Sequence, residues 1–216
     1  MTLFRLDASI SPRQSASRAM ADLVEAEWHQ AHPGGPVIRR PVGTDPLPAD
    51  AWANAVTGAR TPEPDRSERQ RAGVALAARL AGELTGADAV LLAVPLYNFG
   101  VSQHIKTWID LVIAAPRDSS GPEPLLAGKP AVLVTVRGGA YGAGTPREGW
   151  DHSTGYLRRI LADVWGAELT VVEREFTLVG VNPALDQFTE LAAQLKDAAH
   201  AAAREAGRAL TAAVAA

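Results

Sequence analysis

No cysteine occurs at any of the 216 positions. That excludes a disulfide scaffold, a thiolate-held iron–sulfur cluster and a thiolate nucleophile, and it leaves the redox compartment unread. Long apolar runs are missing too. The best of them, Ala89 to Val94, is strand-length and stops at Pro95, far short of the roughly 20 residues that span a bilayer. The opening Met-Thr-Leu-Phe-Arg-Leu-Asp leads into no apolar stretch, so no signal peptide is expected and the cytoplasm is the expected compartment. Neither sign of charge dominates: 21 Lys and Arg stand against 24 Asp and Glu, a net of −3, without the basic footprint of a nucleic-acid binder. The five histidines (His29, His32, His104, His152, His200) show no metal-ligand spacing, and most fall on expected helices. A Gly-x-Ser-x-Gly elbow is absent. Asp151-His152-Ser153 is contiguous, so it is not a triad of groups converging in space.

What is present reads as one globular domain over residues 1–216. Apolar residues make up 47% and charged residues 21%, outside the disordered range. Three β-like runs stand out: Leu3–Leu6, Ala89–Val94 and Ala131–Val136. The last two are almost continuously apolar, as strands covered on both faces are. Val37–Val42 and Leu169–Leu178 are weaker strands. Helical periodicity links Met20, Leu23, Val24 and Trp28, and again Ile105, Trp108, Ile109, Val112 and Ile113. A capping box, Ser67 with Gln70, precedes Val74, Leu76, Leu80 and Leu84. Tyr156 to Val164 carries another apolar stripe, and the chain from Ala184 onward is Ala-rich and helical. The stretch from Pro41 to Asp65, rich in Pro and Gly, reads as an irregular excursion. Five β-α units predict an α/β fold: a flavodoxin-like, doubly wound, five-stranded parallel sheet of order 2-1-3-4-5 with helices on both faces.

In such a sheet the ligand binds beyond the carboxyl ends of the strands, so the loops after strands one, three and four carry the functional reading. The first, Asp7 to Arg18, places four serines, Gln14 and two arginines at a helix N-terminus, where free N–H groups and the helix dipole favour an anion such as phosphate. It also reads as a serine-rich loop with one capping serine. It holds no glycine, so it is neither a dinucleotide fingerprint nor a P-loop. The second, Pro95-Leu96-Tyr97-Asn98-Phe99-Gly100, offers aromatic walls and an amide for a planar ligand, or packing against the next helix. The third, Arg137-Gly138-Gly139-Ala140-Tyr141-Gly142-Ala143-Gly144, permits close backbone approach to a flat ring, or forms a flexible surface loop.

Together these loops resemble the FMN-dependent NADH-azoreductase family, part of the flavodoxin-like NAD(P)H:quinone oxidoreductases. The resemblance rests on Ser9 with Ser15-Ala16-Ser17, on Pro-Leu-Tyr-Asn-Phe at 95–99 and on Arg137-Gly138-Gly139, and it runs from the first strand to about Ala167. It implies that Ser9, Ser15, Ala16 and Ser17 hold the FMN phosphate. Leu96, Tyr97, Asn98 and Phe99 line the isoalloxazine, and Val136, Arg137, Gly138 and Gly139 close its pyrimidine side. It further implies NADH or NADPH as co-substrate, ping-pong two-electron reduction of a quinone or azo compound, no protein acid, base or nucleophile, and a homodimer with shared sites. Trp108, Trp150 and Trp165 fit an aromatic-rich dimer interface and fit the core equally well. The chain departs from the family at Ala16, often polar, at Tyr141, where a histidine is usual, and in a segment 110–121 that is about four residues short. A flavodoxin-like electron carrier and a biosynthetic reductase with a dedicated aromatic substrate are the competing readings.

Overall fold

Central strand β1 (Leu3–Asp7) pairs on one side with β2 (Val37–Arg40) and on the other with β3 (Ala89–Pro95), all parallel, in the computed structural model, which describes residues 1–116 and 124–215. Next to β3 runs β4 (Pro130–Val136), and β5 (Glu168–Arg174) closes the far edge, giving the order β2-β1-β3-β4-β5. Every residue of β3 is buried, and so is every residue of β4 after Pro130. Alternate side chains of these strands therefore feed two separate cores. Val90, Leu92, Val94 and Leu133 face one side with Phe4 and Leu6. Leu91, Ala93, Val132 and Val134 face the other with Leu3.

The first core is covered by α2 (Ala51–Arg60), α3 (Glu68–Thr85), α4 (Gln103–Ile113) and α5 (Thr154–Arg158), the last continuing as a wider helical turn over Arg159–Val164. The second is covered by α1 (Ala16–Ala31) and α6 (Thr189–Ala215). The capping box is formed: Gln70 N–H donates to Ser67 Oγ at 3.3 Å, and Ser67 N–H donates to Gln70 Oε1 at 2.8 Å.

Two expectations need correction and two are sharpened. Pro41–Asp65 is not irregular, because α2 and a short 3₁₀ turn (Glu63–Asp65) occupy much of it. The buried face of α2 is Ala51, Ala55 and Gly58, small residues that leave no hydrophobic stripe to read. Strand β5 ends at Arg174 rather than Leu178, because Phe176 takes a left-handed backbone (φ 55) that turns the chain back. The C-terminal region is divided into a 3₁₀ turn, Pro183–Phe188, and then α6. Finally, Trp108 and Trp165 are core residues, not interface residues. Both are fully buried, Trp108 stacking on Phe4 (5.9 Å between ring centroids) and meeting Trp165 edge-on (5.7 Å).

Candidate functional site

The carboxyl ends of the strands are extended by three hydrogen bonds that align the loops of interest. Ala8 N–H donates to Ala93 O (2.9 Å), Leu96 N–H to Val136 O (2.9 Å) and Arg137 N–H to Arg174 O (2.8 Å). Beneath the first loop, the buried Arg5 guanidinium holds Asp7 at 3.1 Å and Glu25 at 2.8 Å. Burial opposes the charge on Arg5, but attraction to Asp7 and hydrogen bonds to Asp7, Glu25 and Asp22 outweigh it and raise its pKa. The first loop is therefore anchored to β1 and α1 from below.

Helix α1 starts on Ser15, whose Oγ accepts the Arg18 N–H at 3.2 Å and lies 3.1 Å from Ser17 Oγ. Among the described residues, the N–H groups of Ala16 and Ser17 have no protein partner, so the positive end of the helix is open to an anion. Arg18 turns back on its own loop, donating to Pro12 O (3.2 Å) and Ser11 O (3.1 Å), and so fixes that loop's shape. Tyr97 spans the gap between the first and second loops. Its hydroxyl lies 3.4 Å from Ser9 Oγ and accepts the Ile10 N–H at 3.3 Å.

These elements enclose a cavity of about 380 Å³ lined by Ser9, Ser11, Gln14, Ser15, Ala16, Ser17, Pro95, Leu96, Tyr97, Val136, Gly138, Thr177, Leu178 and Val181. Eight of the residues singled out from sequence are brought together here: Ser9, Ser15, Ala16, Ser17, Leu96, Tyr97, Val136 and Gly138. Asn98, Phe99, Arg137 and Gly139 lie beside it, outside the lining. Asn98 and Phe99 adopt consecutive left-handed conformations (φ 48 and 67) in a turn closed by Gly100 N–H to Tyr97 O at 3.0 Å. The turn carries Phe99 outward, 41% exposed and edge-on to Trp150 at 5.5 Å. Tyr141 is also outside the lining, its ring 6.4 Å from Phe99. Of the short 110–121 segment, residues 117–121 lie outside the described residues.

Arg137 has a different partner set from a ligand-facing cation. It donates to Asp151 (2.7 Å), to Glu173 (2.8 Å) and to Thr154 Oγ1 (3.3 Å). Burial opposes its charge, but Glu173 and Asp151 more than compensate and raise its pKa. Asp151 is held below the usual carboxylate range. Burial works against this, but the Thr154 N–H and hydroxyl, the Arg137 guanidinium and the Ser153 N–H prevail. From the sequence, Asp151 reads only as part of the contiguous Asp151-His152-Ser153 run, which is not a converging triad. An acidic residue just ahead of a helix was the available signal, since Asp151 Oδ1 accepts both the Ser153 and Thr154 N–H groups at 2.9 Å.

Sequence reasoning also missed Thr177, Leu178 and Val181. After the left-handed Phe176, Thr177 N–H donates to Arg137 O and Leu178 N–H to Gly138 O, both at 3.1 Å. Leu178 is thereby laid against Gly138, where a Cβ would come 2.6 Å from Leu178 Cδ1. Only a glycine at 138 leaves that wall as it is.

The cavity thus has a hydroxyl-rich end at a helix N-terminus and an apolar slot between Pro95, Leu96, Val136 and Leu178, with no carboxylate among the described residues of its lining. A phosphate joined to a flat ring system fits that division, and FMN is such a molecule.

A five-stranded parallel sheet of this order, with an anion cradle at its switch point, defines a flavodoxin-like protein. The chain belongs to the family described as flavodoxin-like fold, whose profile matches residues 1–203. Among its relatives, a protein of Frankia alni named FMN-dependent NADH:quinone oxidoreductase is 37% identical over 204 residues, covering 94% of this chain and 96% of the relative. One of the same name from Streptomyces coelicolor is 36% identical over 214 residues, covering 97% and 95%. Solved structures of the same fold include an azoreductase from Bacillus anthracis, with a TM-score of 0.77 at 22% identity over 96% of this chain and 99% of the other. An FMN complex of an FMN-dependent NADH-azoreductase from the same species has a TM-score of 0.71 at 16% identity, covering 94% and 98%.

Proposed function

We propose that the protein is an FMN-dependent NADH oxidoreductase that passes electron pairs to quinones or azo compounds. The observation that carries this reading is the cradle itself: a serine-lined helix N-terminus joined to an apolar slot, without a carboxylate among its described lining residues. The names of the relatives at 36–37% identity point the same way. Bound in the cradle, FMN would supply two-electron hydride chemistry, accepting from a nicotinamide and donating to a flat acceptor.

The chain's own residues do the holding. Ser9, Ser15 and Ser17 hydroxyls with the Ala16 and Ser17 N–H groups receive the phosphate, and the helix dipole adds roughly 0.3–1 kcal/mol. Leu96, Tyr97, Val136 and Gly138 flank the ring. Asn98, Phe99 and Gly139, in the adjoining turns, would help to hold the ring, and Arg137 braces the wall from behind. No protein acid or base is assigned a role. We further infer that the protein works in the cytoplasm as a homodimer, to which the exposed Trp150 and Phe99 offer an aromatic surface. Among the described residues no helix is long and apolar enough to cross a membrane.

Initial rates with NADH and menadione varied together test the proposal. Parallel double-reciprocal lines are expected, because donor and acceptor use one site in turn. An absence of NADH oxidation by FMN-loaded protein would refute it.

A further inference from the structure

The glycine-rich loop after β4 is laid down as a continuation of the β4–β5 pairing. Arg137 N–H donates to Arg174 O (2.8 Å), and three bonds return: Thr177 N–H to Arg137 O (3.1 Å), Leu178 N–H to Gly138 O (3.1 Å) and Phe176 N–H to Gly139 O (3.3 Å). The returning bonds use carbonyls of the loop and leave its amides free. Among the described residues, the N–H groups of Gly138, Gly139 and Ala140 have no protein acceptor. Gly139 is buried, where an N–H without an acceptor is costly. Three successive donors are therefore available to a ligand, on the turn whose Gly138 lines the cradle.

Donors of this kind act fully only when the backbone carrying them is fixed in advance. Here the fixing at the far end is done by a side chain. Glu175, the residue after β5, accepts the Tyr141 N–H on its Oε1 at 2.7 Å. Among the described residues, Tyr141 N–H is the one amide from Gly138 to Ala143 with a protein acceptor. The free amides thus lie between two anchored ones, Arg137 and Tyr141. The half-buried Glu175 is steadied in turn, since its Oε1 lies 3.7 Å from the Arg137 guanidinium, which Asp151 and Glu173 hold. Beyond Tyr141 the loop is pinned only to itself, by Gly144 N–H to Glu148 (2.8 Å) and Thr145 N–H to Gly142 O (3.2 Å).

We propose that Glu175 is a positioning residue for the flavin: it pins the Gly138–Ala140 amides as a preformed donor wall, and through them favours reduced over oxidised FMN in the cradle. The inference rests on the FMN reading. Reduction makes the ring electron-rich and its heteroatoms better acceptors, so donors fixed beforehand bind the reduced form more tightly. Glu175 itself does not line the cradle and acts through the backbone it holds. A carboxylate acting by charge alone would do the opposite, because negative charge near the ring opposes its reduction. The two roles therefore differ in sign.

The test is the midpoint potential of FMN bound to the wild-type protein, Glu175→Ala and Glu175→Gln, titrated with dithionite against reference dyes. Glu175→Ala is expected to lower the reduced-over-oxidised affinity ratio about 10-fold, which for two electrons is a potential about 30 mV more negative. Glu175→Gln keeps an oxygen acceptor at the same reach and is expected to restore most of the loss. A potential raised in both variants would reveal a charge effect and overturn the proposal, as would an unchanged potential in Glu175→Ala. Amide hydrogen exchange of the FMN-loaded proteins supplies a second readout. Exchange at Tyr141 should quicken at least about 10-fold in Glu175→Ala and stay near wild type in Glu175→Gln, with β4 and β5 protected in both. Faster exchange throughout β4 and β5 would assign Glu175 a general structural role and overturn the proposal. Dithionite takes the place of NADH in the titration. FMN that binds but is not reduced by NADH would therefore remove the reductase reading, while the potentials still decide the role of Glu175.

Discussion

Arg137 Nε lies 2.7 Å from Asp151 Oδ2, and the pair ties the end of β4 to the start of α5. The same guanidinium reaches Glu173 on β5, while the Arg137 carbonyl accepts the Thr177 N–H that brings Leu178 onto Gly138. The arginine of the Arg-Gly-Gly motif therefore acts on the cradle through its wall.

Asp151→Asn should destabilise the fold by about 2 kcal/mol at pH 7, since it leaves a buried guanidinium short of one charged partner. The sign of the pH dependence follows from the depressed pKa of Asp151 in the folded state. Its stabilisation is complete above the unfolded value of about 3.9 and is lost as pH falls through the lower, folded value. Urea unfolding at pH 7 and at pH 3 checks this: the deficit of the variant should shrink in acid. Equal deficits at both pH values would contradict the pair's assigned role.

Ser15→Ala removes a helix cap and the proposed phosphate donor together, and the two losses separate cleanly. Loss of the bond from Arg18 N–H should cost about 1 kcal/mol of apoprotein stability. Loss of the donor should weaken FMN more than riboflavin, which lacks the phosphate. Titration of both flavins by fluorescence quenching measures the ratio, and an unchanged ratio would place the phosphate elsewhere.

Gly138→Val puts a branched side chain where Leu178 Cδ1 already lies 2.6 Å from the position of a Cβ. Leu178 is 44% exposed and can swing aside, so the fold should survive while the apolar slot narrows. Flavin affinity is expected to fall at least about 10-fold, equivalent to about 1.4 kcal/mol, for FMN and riboflavin alike. Thermal melts of the apoprotein establish that folding is intact.

Gly73→Ala tests the part of the fold that the sequence concealed. A Cβ at Gly73 would stand 2.7 Å from Ala55 N, in the backbone of α2, which cannot move aside as a side chain can. Overpacking of this kind costs about 1–3 kcal/mol. Denaturant unfolding should show that loss with flavin affinity unchanged in the folded protein.

The parts legible in the sequence are those whose cause is local. Strands β3 and β4 are covered on both faces, so Ala89–Val94 and Ala131–Val136 are apolar but for Thr135, and their ends point to the ligand-binding edge of the sheet. The Ser67–Gln70 box marks α3 because capping needs only adjacent residues. Helix α2 escaped because helix-to-helix contact through Ala51, Ala55 and Gly58 rewards smallness rather than hydrophobicity. In the cradle, the serines of the first loop and Leu96-Tyr97 could be read from their place after strands. Thr177 and Leu178 could not, because their position depends on backbone bonds to Arg137 and Gly138 across about forty residues.

The central claim is that the cradle holds a flavin that NADH reduces. The measurement that tests it most directly is an anaerobic visible spectrum of the protein, loaded with FMN, desalted and then mixed with NADH. The account predicts that flavin absorbance is retained through desalting and bleaches within the mixing experiment, then returns on addition of a quinone. Flavin that stays oxidised in excess NADH, or that is neither retained nor bound on titration, would contradict it.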